Sequence, residues 1–174
     1  IRSCLVGSEM CIRDRLYIAQ RQNNNWIPLA AMKCIAQFLD MPYIKVYEVA
    51  TFYSMYNLSP VGKFFIQVCT TTPCMIRGAN KLVEACKEKI SENESELLKD
   101  KNCSWMEVEC LGACVNAPMM QINDDYYEDL DKEKTLEILD KILKGETPTP
   151  GSYRGRLSNE PENNRKTLMD IKNA

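Results

Sequence analysis

Apolar positions change period part-way along the chain. From Leu16 to about Ser54 they recur at helical spacing. Leu16, Ala19 and Gln20 open a short helix that ends in the polar run Gln22 to Asn25. Trp26-Ile27-Pro28 starts a second helix, with proline in its first turn, where a missing N–H has no partner to lose. Leu29, Met32, Ile35, Ala36 and Leu39 form its stripe, Met41-Pro42 breaks it, and a third helix follows with Ile44, Tyr47, Ala50 and Tyr53 roughly in line. Ser59-Pro60-Val61-Gly62 is a turn signal and the expected domain boundary.

Beyond that turn the period shortens. Phe64 to Val68 reads as a buried strand, and Trp105 to Glu109 alternates apolar and polar residues as a second. Between them, Met75 to about Ser91 reads as one helix with Leu82, Val83, Cys86 and Ile90 inward, and 92–103 as a polar surface loop. Met119 to Asn123 and Tyr126 to Leu130 form a hairpin across Asp124-Asp125. Asp131 is placed to cap a last helix, with Leu136, Ile138, Leu139, Ile142 and Leu143 apolar and Gly145 ending it. From Glu146 the chain is rich in proline, glycine and asparagine and is expected to lie along a neighbour as an extended tail. The expected fold class is α+β: residues 15–58 helical, 62–145 a mixed domain, 146–174 a tail. Residues 1–14 are set aside, because Leu5 to Asp14 reads as the translation of a DNA-sequencing adaptor. Cys4 and Cys11 then carry no chemistry.

Two cysteine pairs follow the two strands: Cys69-Thr-Thr-Thr-Pro-Cys74 and Cys110-Leu-Gly-Ala-Cys114. Within each pair the sulfurs can meet on one loop, and Gly112 permits the positive φ of a tight approach. Four thiolates delivered as two pairs suit a metal centre. The chain has nine cysteines and no histidine, so sulfur must carry any metal or redox chemistry. Missing histidine also excludes Ser-His-Asp and Cys-His nucleophiles, and any Rieske-type centre. An odd cysteine count disfavours a disulfide framework. A zinc Cys₄ site remains open beside the favoured [2Fe-2S] cluster. Cys34 and Cys86 read as core thiols and Cys103 as a spare thiol in the surface loop.

Other function classes fall on composition. Net charge is −2. Two helices with a short break raise the question of a helix-turn-helix, but Arg15, Arg21, Lys33 and Lys45 are too scattered to track phosphates, so no nucleic-acid partner is expected. No apolar run reaches the roughly 18 residues of a membrane span. No G-x-G-x-x-G fingerprint occurs, so no nucleotide or flavin site is expected in the chain itself. The aromatic run Phe52, Tyr53 and Tyr56 suits an interface.

The sequence resembles the thioredoxin-like [2Fe-2S] subunit of respiratory complex I, the NADH dehydrogenase flavoprotein 2 family. The matching stretches are Val46-Tyr-Glu-Val-Ala-Thr-Phe-Tyr53, Gly62-Lys63, Gln67 to Cys74, Arg77-Gly78, Val108 to Cys114, Asn116-Ala-Pro-Met119, Gly155-Arg156 and Glu160-Pro161. This resemblance implies a thioredoxin-like domain and one [2Fe-2S] cluster on Cys69, Cys74, Cys110 and Cys114. It also implies a place beside the flavin-bearing NADH-oxidising subunit, and next to the large iron–sulfur subunit, of NADH:ubiquinone oxidoreductase. The chain would relay single electrons and bind no substrate of its own. A similar subunit of NAD-linked hydrogenases or formate dehydrogenases is the alternative within the family. The lysine- and asparagine-rich residues 86–103 point to the matrix side of a mitochondrial inner membrane, with the cytoplasmic side of a bacterial membrane as the prokaryotic counterpart.

Overall fold

The computed structural model describes residues 9–97 and 102–161. The chain divides into two units between Lys63 and Phe64.

The first unit is helical: α1 (Glu9–Gln22), α2 (Leu29–Phe38) and α3 (Tyr43–Phe52). Its core joins Cys11, Ile12 and Leu16 of α1 to Met32, Ile35 and Ala36 of α2 and Val46, Val49 and Ala50 of α3. The helix therefore runs through Glu9 to Asp14, the stretch the sequence set aside, and buries Cys11 and Ile12. Two expected stripes are corrected. Cys34 is exposed rather than a core thiol: two residues past Met32, it points about 200° round the helix from it. On α3 the buried triplet has i, i+3, i+4 spacing, leaving Ile44 and Tyr47 on the exposed side. Pro28 is the N-cap of α2 rather than a residue inside it.

The second unit is built on β1 (Phe64–Cys69). It continues through α4 (Thr72–Ile76), α5 (Ala79–Lys89), β2 (Cys103–Val108), β3 (Met120–Ile122), β4 (Asp125–Glu128), α6 (Lys132–Leu143) and β5 (Gly151–Ser152). The five strands lie in the order β2-β1-β3-β4-β5. β1 runs parallel to β2 and antiparallel to β3, with Ile66 opposite both Trp105 and Ile122. Alternation along β1 sends Phe64, Ile66 and Val68 into a core with Leu82, Val83 and Cys86 of α5 and Ile138, Leu139 and Ile142 of α6. Asp131 caps α6 by accepting the Lys134 N–H at 2.9 Å, and Gly145 follows the helix at φ 83°.

Several expectations need correction here. The helix expected from Met75 to Ser91 is two helices, because Gly78 at φ 99° leaves the right-handed region between α4 and α5. Cys74 lies inside the five-residue α4. Cys103 is fully buried at the start of β2 and not in a surface loop; as the parallel partner of Phe64 it joins the core. The β3–β4 turn is Asn123-Asp124, and Asp125 pairs with Ile122. The tail, as far as residue 161, is not free of regular structure: residues 151–152 add β5 beside β4.

Candidate metal centre

β1 delivers Cys69 at its last residue, and the chain turns at once into α4, which carries Cys74. Both sulfurs are buried. β2 ends at Val108, and the irregular segment after it carries Cys110 and, in the single 3-10 turn Cys114–Asn116, Cys114. These two sulfurs are exposed and stand 3.3 Å apart.

The parallel pairing of β1 with β2 brings the pairs to one end of the sheet, since Cys69 is the register partner of Val108. The second loop then folds over the first. Leu111 and Ala113 pack against a small apolar cluster that contains Cys69, Cys74, Ala79, Ala117 and Met119. The Leu111 backbone, from inside the second loop, acts to lower the Cys69 thiol of the first. Tyr126 fastens that crossing by donating its hydroxyl to the Leu111 carbonyl at 2.7 Å. Gly112 donates its N–H to the Cys110 sulfur at 3.4 Å, and the backbone at Thr71 and Met119 acts to lower the Cys69 and Cys74 thiols. Gly112 is at φ 85°, as its place between the cysteines foretold. The Thr71 hydroxyl, buried without an aligned partner, lies in reach of the Cys69 sulfur as well.

The thiols perturb one another strongly. Burial pushes the Cys74 thiol up to about 12, helped by its S–H bond to Cys69 and by the negative charge of Cys69 and Cys114. Cys114 is raised by its hydrogen bond to Cys110, by burial, and by the charges of Cys110 and Cys69. Cys69 alone moves down: burial opposes its charge, but the N–H groups of Thr71 and Leu111, the Cys74 thiol and the Thr71 hydroxyl together outweigh it. Sulfurs from both pairs thus repel one another once ionised. Four thiolates in this space need cations between them. Among the described residues no three cysteine, aspartate or glutamate side chains are drawn round a single point. The sulfurs stand as two pairs.

The profile of the thioredoxin-like [2Fe-2S] ferredoxin family matches residues 8–143. The chain belongs to that family. Its cofactor is a [2Fe-2S] cluster, and the donor set fits one: two cysteine pairs on loops that pack together, no histidine, and the Gly112 N–H turned toward sulfur. Among relatives, a subunit of the NADH-quinone oxidoreductase of Rickettsia bellii is 55% identical over 136 residues, covering 78% of this chain and 81% of that protein. Its counterpart in Rickettsia typhi is 51% identical over 137 residues, 79% of this chain and 81% of that one. Of solved structures, an NAD+-reducing [NiFe]-hydrogenase in its H2-reduced state superposes with a TM-score of 0.64 at 18% identity. That match covers 76% of this chain but 22% of the hydrogenase chain, and shows a shared fold.

Sequence reasoning reached the four cysteines and Gly112 but missed the residues that fix them. Tyr126 reads as an apolar strand position, and nothing in its spacing ties its hydroxyl to Leu111. Donors are expected from sequence around Pro73 to Met75 and Leu111 to Val115. Gly112 does donate, to Cys110 at 3.4 Å, whereas the backbone that acts on the thiols of the first pair is that of Thr71, Leu111 and Met119.

Proposed function

We propose that Cys69, Cys74, Cys110 and Cys114 hold one [2Fe-2S] cluster, two thiolates to each iron, in the electron-transfer subunit of an NADH:quinone oxidoreductase. The observation that carries this is the crossing of the two loops, where Leu111 and Ala113, between Cys110 and Cys114, pack against the apolar cluster that holds Cys69 and Cys74. The Rickettsia relatives, half or more identical over most of this chain, support the choice of machine. Bound there, the cluster supplies uptake and release of one electron at a time.

The chain's own residues set the conditions for that exchange. Cys69 and Cys74 sit in the apolar floor, and Ala79, Ala117 and Met119 keep water from their side. The Gly112 N–H offsets negative charge on the Cys110 sulfur, and the backbone at Thr71, Leu111 and Met119 acts in the same direction on Cys69 and Cys74. All-cysteine ligation still favours a potential well below that of histidine-ligated centres. Cys110 and Cys114 face outward, so the electron passes on their side. Val115, directly after Cys114, and Ile76, two residues after Cys74, expose large apolar side chains that a protein partner can cover.

That partner is the flavin-bearing, NADH-oxidising subunit, with the large iron–sulfur subunit as a second neighbour. The chain contributes no substrate site. Among the described residues no helix is long and apolar enough to cross a membrane. The complex places the chain on the matrix side of the mitochondrial inner membrane, or on the cytoplasmic side of the membrane in a bacterium. Cys114→Ser tests the ligand assignment: the reduced-state [2Fe-2S] EPR signal should vanish or change form. An unaltered signal removes Cys114 from the ligand set.

A further inference from the structure

The segment from Glu109 to Pro118 carries two of the four sulfurs and, apart from the 3-10 turn Cys114–Asn116, has no regular structure. Something outside it must hold it still, because a metal site retains its geometry only when the ligands are themselves fixed. The Tyr126 hydroxyl holds its first half at Leu111. Its second half is held from the tail. Gly155, at φ 74°, turns the chain so that Arg156 reaches back into the unit, where its side chain is only 11% exposed.

The guanidinium uses both edges of its fork. Nε and Nη2 donate to the two oxygens of Asp129 at 3.0 and 2.8 Å, and the Asp129 side chain is 1% exposed. Nη2 also donates to the Val115 carbonyl at 3.0 Å and to the side-chain oxygen of Asn116, and Nη1 to the Glu160 carbonyl at 3.0 Å. Val115 and Asn116 are the two residues directly after Cys114. Asn116 completes the latch: its Nδ2 donates to Glu128 and to the Ser158 carbonyl, each at 2.7 Å, and its carbonyl accepts the Asp129 N–H at 2.8 Å.

From this geometry we infer that Arg156 is a positioning residue for the cluster. It locks the Cys114 turn to the sheet through Asp129 and to the tail through Glu160. This rests on the ligand assignment above. Lysine could keep the ion pair with Asp129, but a compact ammonium cannot span the carboxylate and the Val115 carbonyl in one plane. The Gly155-Arg156 pair, a motif of the tail with no chemistry of its own, thereby has a task at the metal centre.

The test uses the full holo-chain with three variants. Arg156→Lys should release iron to a chelator about tenfold faster than the parent and shift the reduced-state EPR line shape, with far-UV circular dichroism unchanged. Lys89→Ala is the control, because it breaks the Lys89–Asp140 bridge (2.7 Å) of the same unit without touching the sulfur loops. It should leave release rate and line shape alone. Equal effects in these two variants, or parent-like release and line shape in Arg156→Lys, overturn the inference. If Arg156→Lys does not fold, Asn116→Ala, which removes the loop's end of the latch, decides by the same two readouts. Parent-like behaviour there likewise overturns it. The Cys114→Ser variant separates the two levels: a signal unaltered by Cys114→Ser sinks the ligand assignment, whereas a signal lost or altered there but unmoved by Arg156→Lys sinks only the latch.

Discussion

Asp129 holds a buried carboxylate at the end of β4, on a backbone turned to φ 55°. Burial by itself pushes its carboxyl upward. The Arg156 fork, the Ser152 hydroxyl at 2.5 Å and the charge of Arg154 outweigh that and hold it below the ordinary carboxylate value. A carboxyl depressed in the folded state contributes stability above its unfolded value of about 3.9, and that stability is lost as pH falls through the lower folded value. The urea midpoint of the metal-free chain should therefore fall on acidification from about pH 4, and Asp129→Asn should flatten that limb. Identical acid limbs would show that Asp129 is not held ionised by this pair. Such residues are hard to read from a sequence. Asp129 and Arg156 are 27 positions apart, and neither stands in a periodic pattern. Cys103 and Cys34 differ from their sequence expectations for a related reason: polar neighbours hide the buried start of β2, and apolar neighbours hide the outward side of α2.

Elements were legible where a period was strong. β1, the β3–β4 hairpin and α6 lie where alternation and capping put them, within a residue or two at their ends. What pattern could not show was the break at Gly78. Apolar residues continue at helical spacing across it, and only a positive φ reveals that α4 and α5 are separate. That break lets the short α4 present Cys74 to the sulfur site while α5 packs its own face against β1. A methyl group built on Gly78 meets nothing closer than the Lys81 side chain at 3.9 Å, so the cost of Gly78→Ala is backbone strain alone. It should lower stability by about 1 kcal/mol, read from urea unfolding. No loss would mean that the break does not need a left-handed residue. β5 was missed because two residues of strand in a proline- and glycine-rich tail carry no period.

At the scale of the whole molecule, the turn at Ser59 to Gly62 separates two units with separate apolar cores, one among three helices and one between a five-stranded sheet and α5 and α6. The sulfur site belongs wholly to the second unit. There, the strand order places the ends of β1 and β2 side by side, and the loops that follow supply two cysteines each. Each sulfur pair was legible from its spacing. Their meeting was not, because it depends on a parallel pairing between strands with 33 residues between their nearest ends. Iron and acid-labile sulfide analysis of the purified chain, with zinc measured on the same sample, tests that meeting most directly. The account predicts about two irons and about two sulfides per chain and no stoichiometric zinc; about one zinc per chain with no labile sulfide would contradict it.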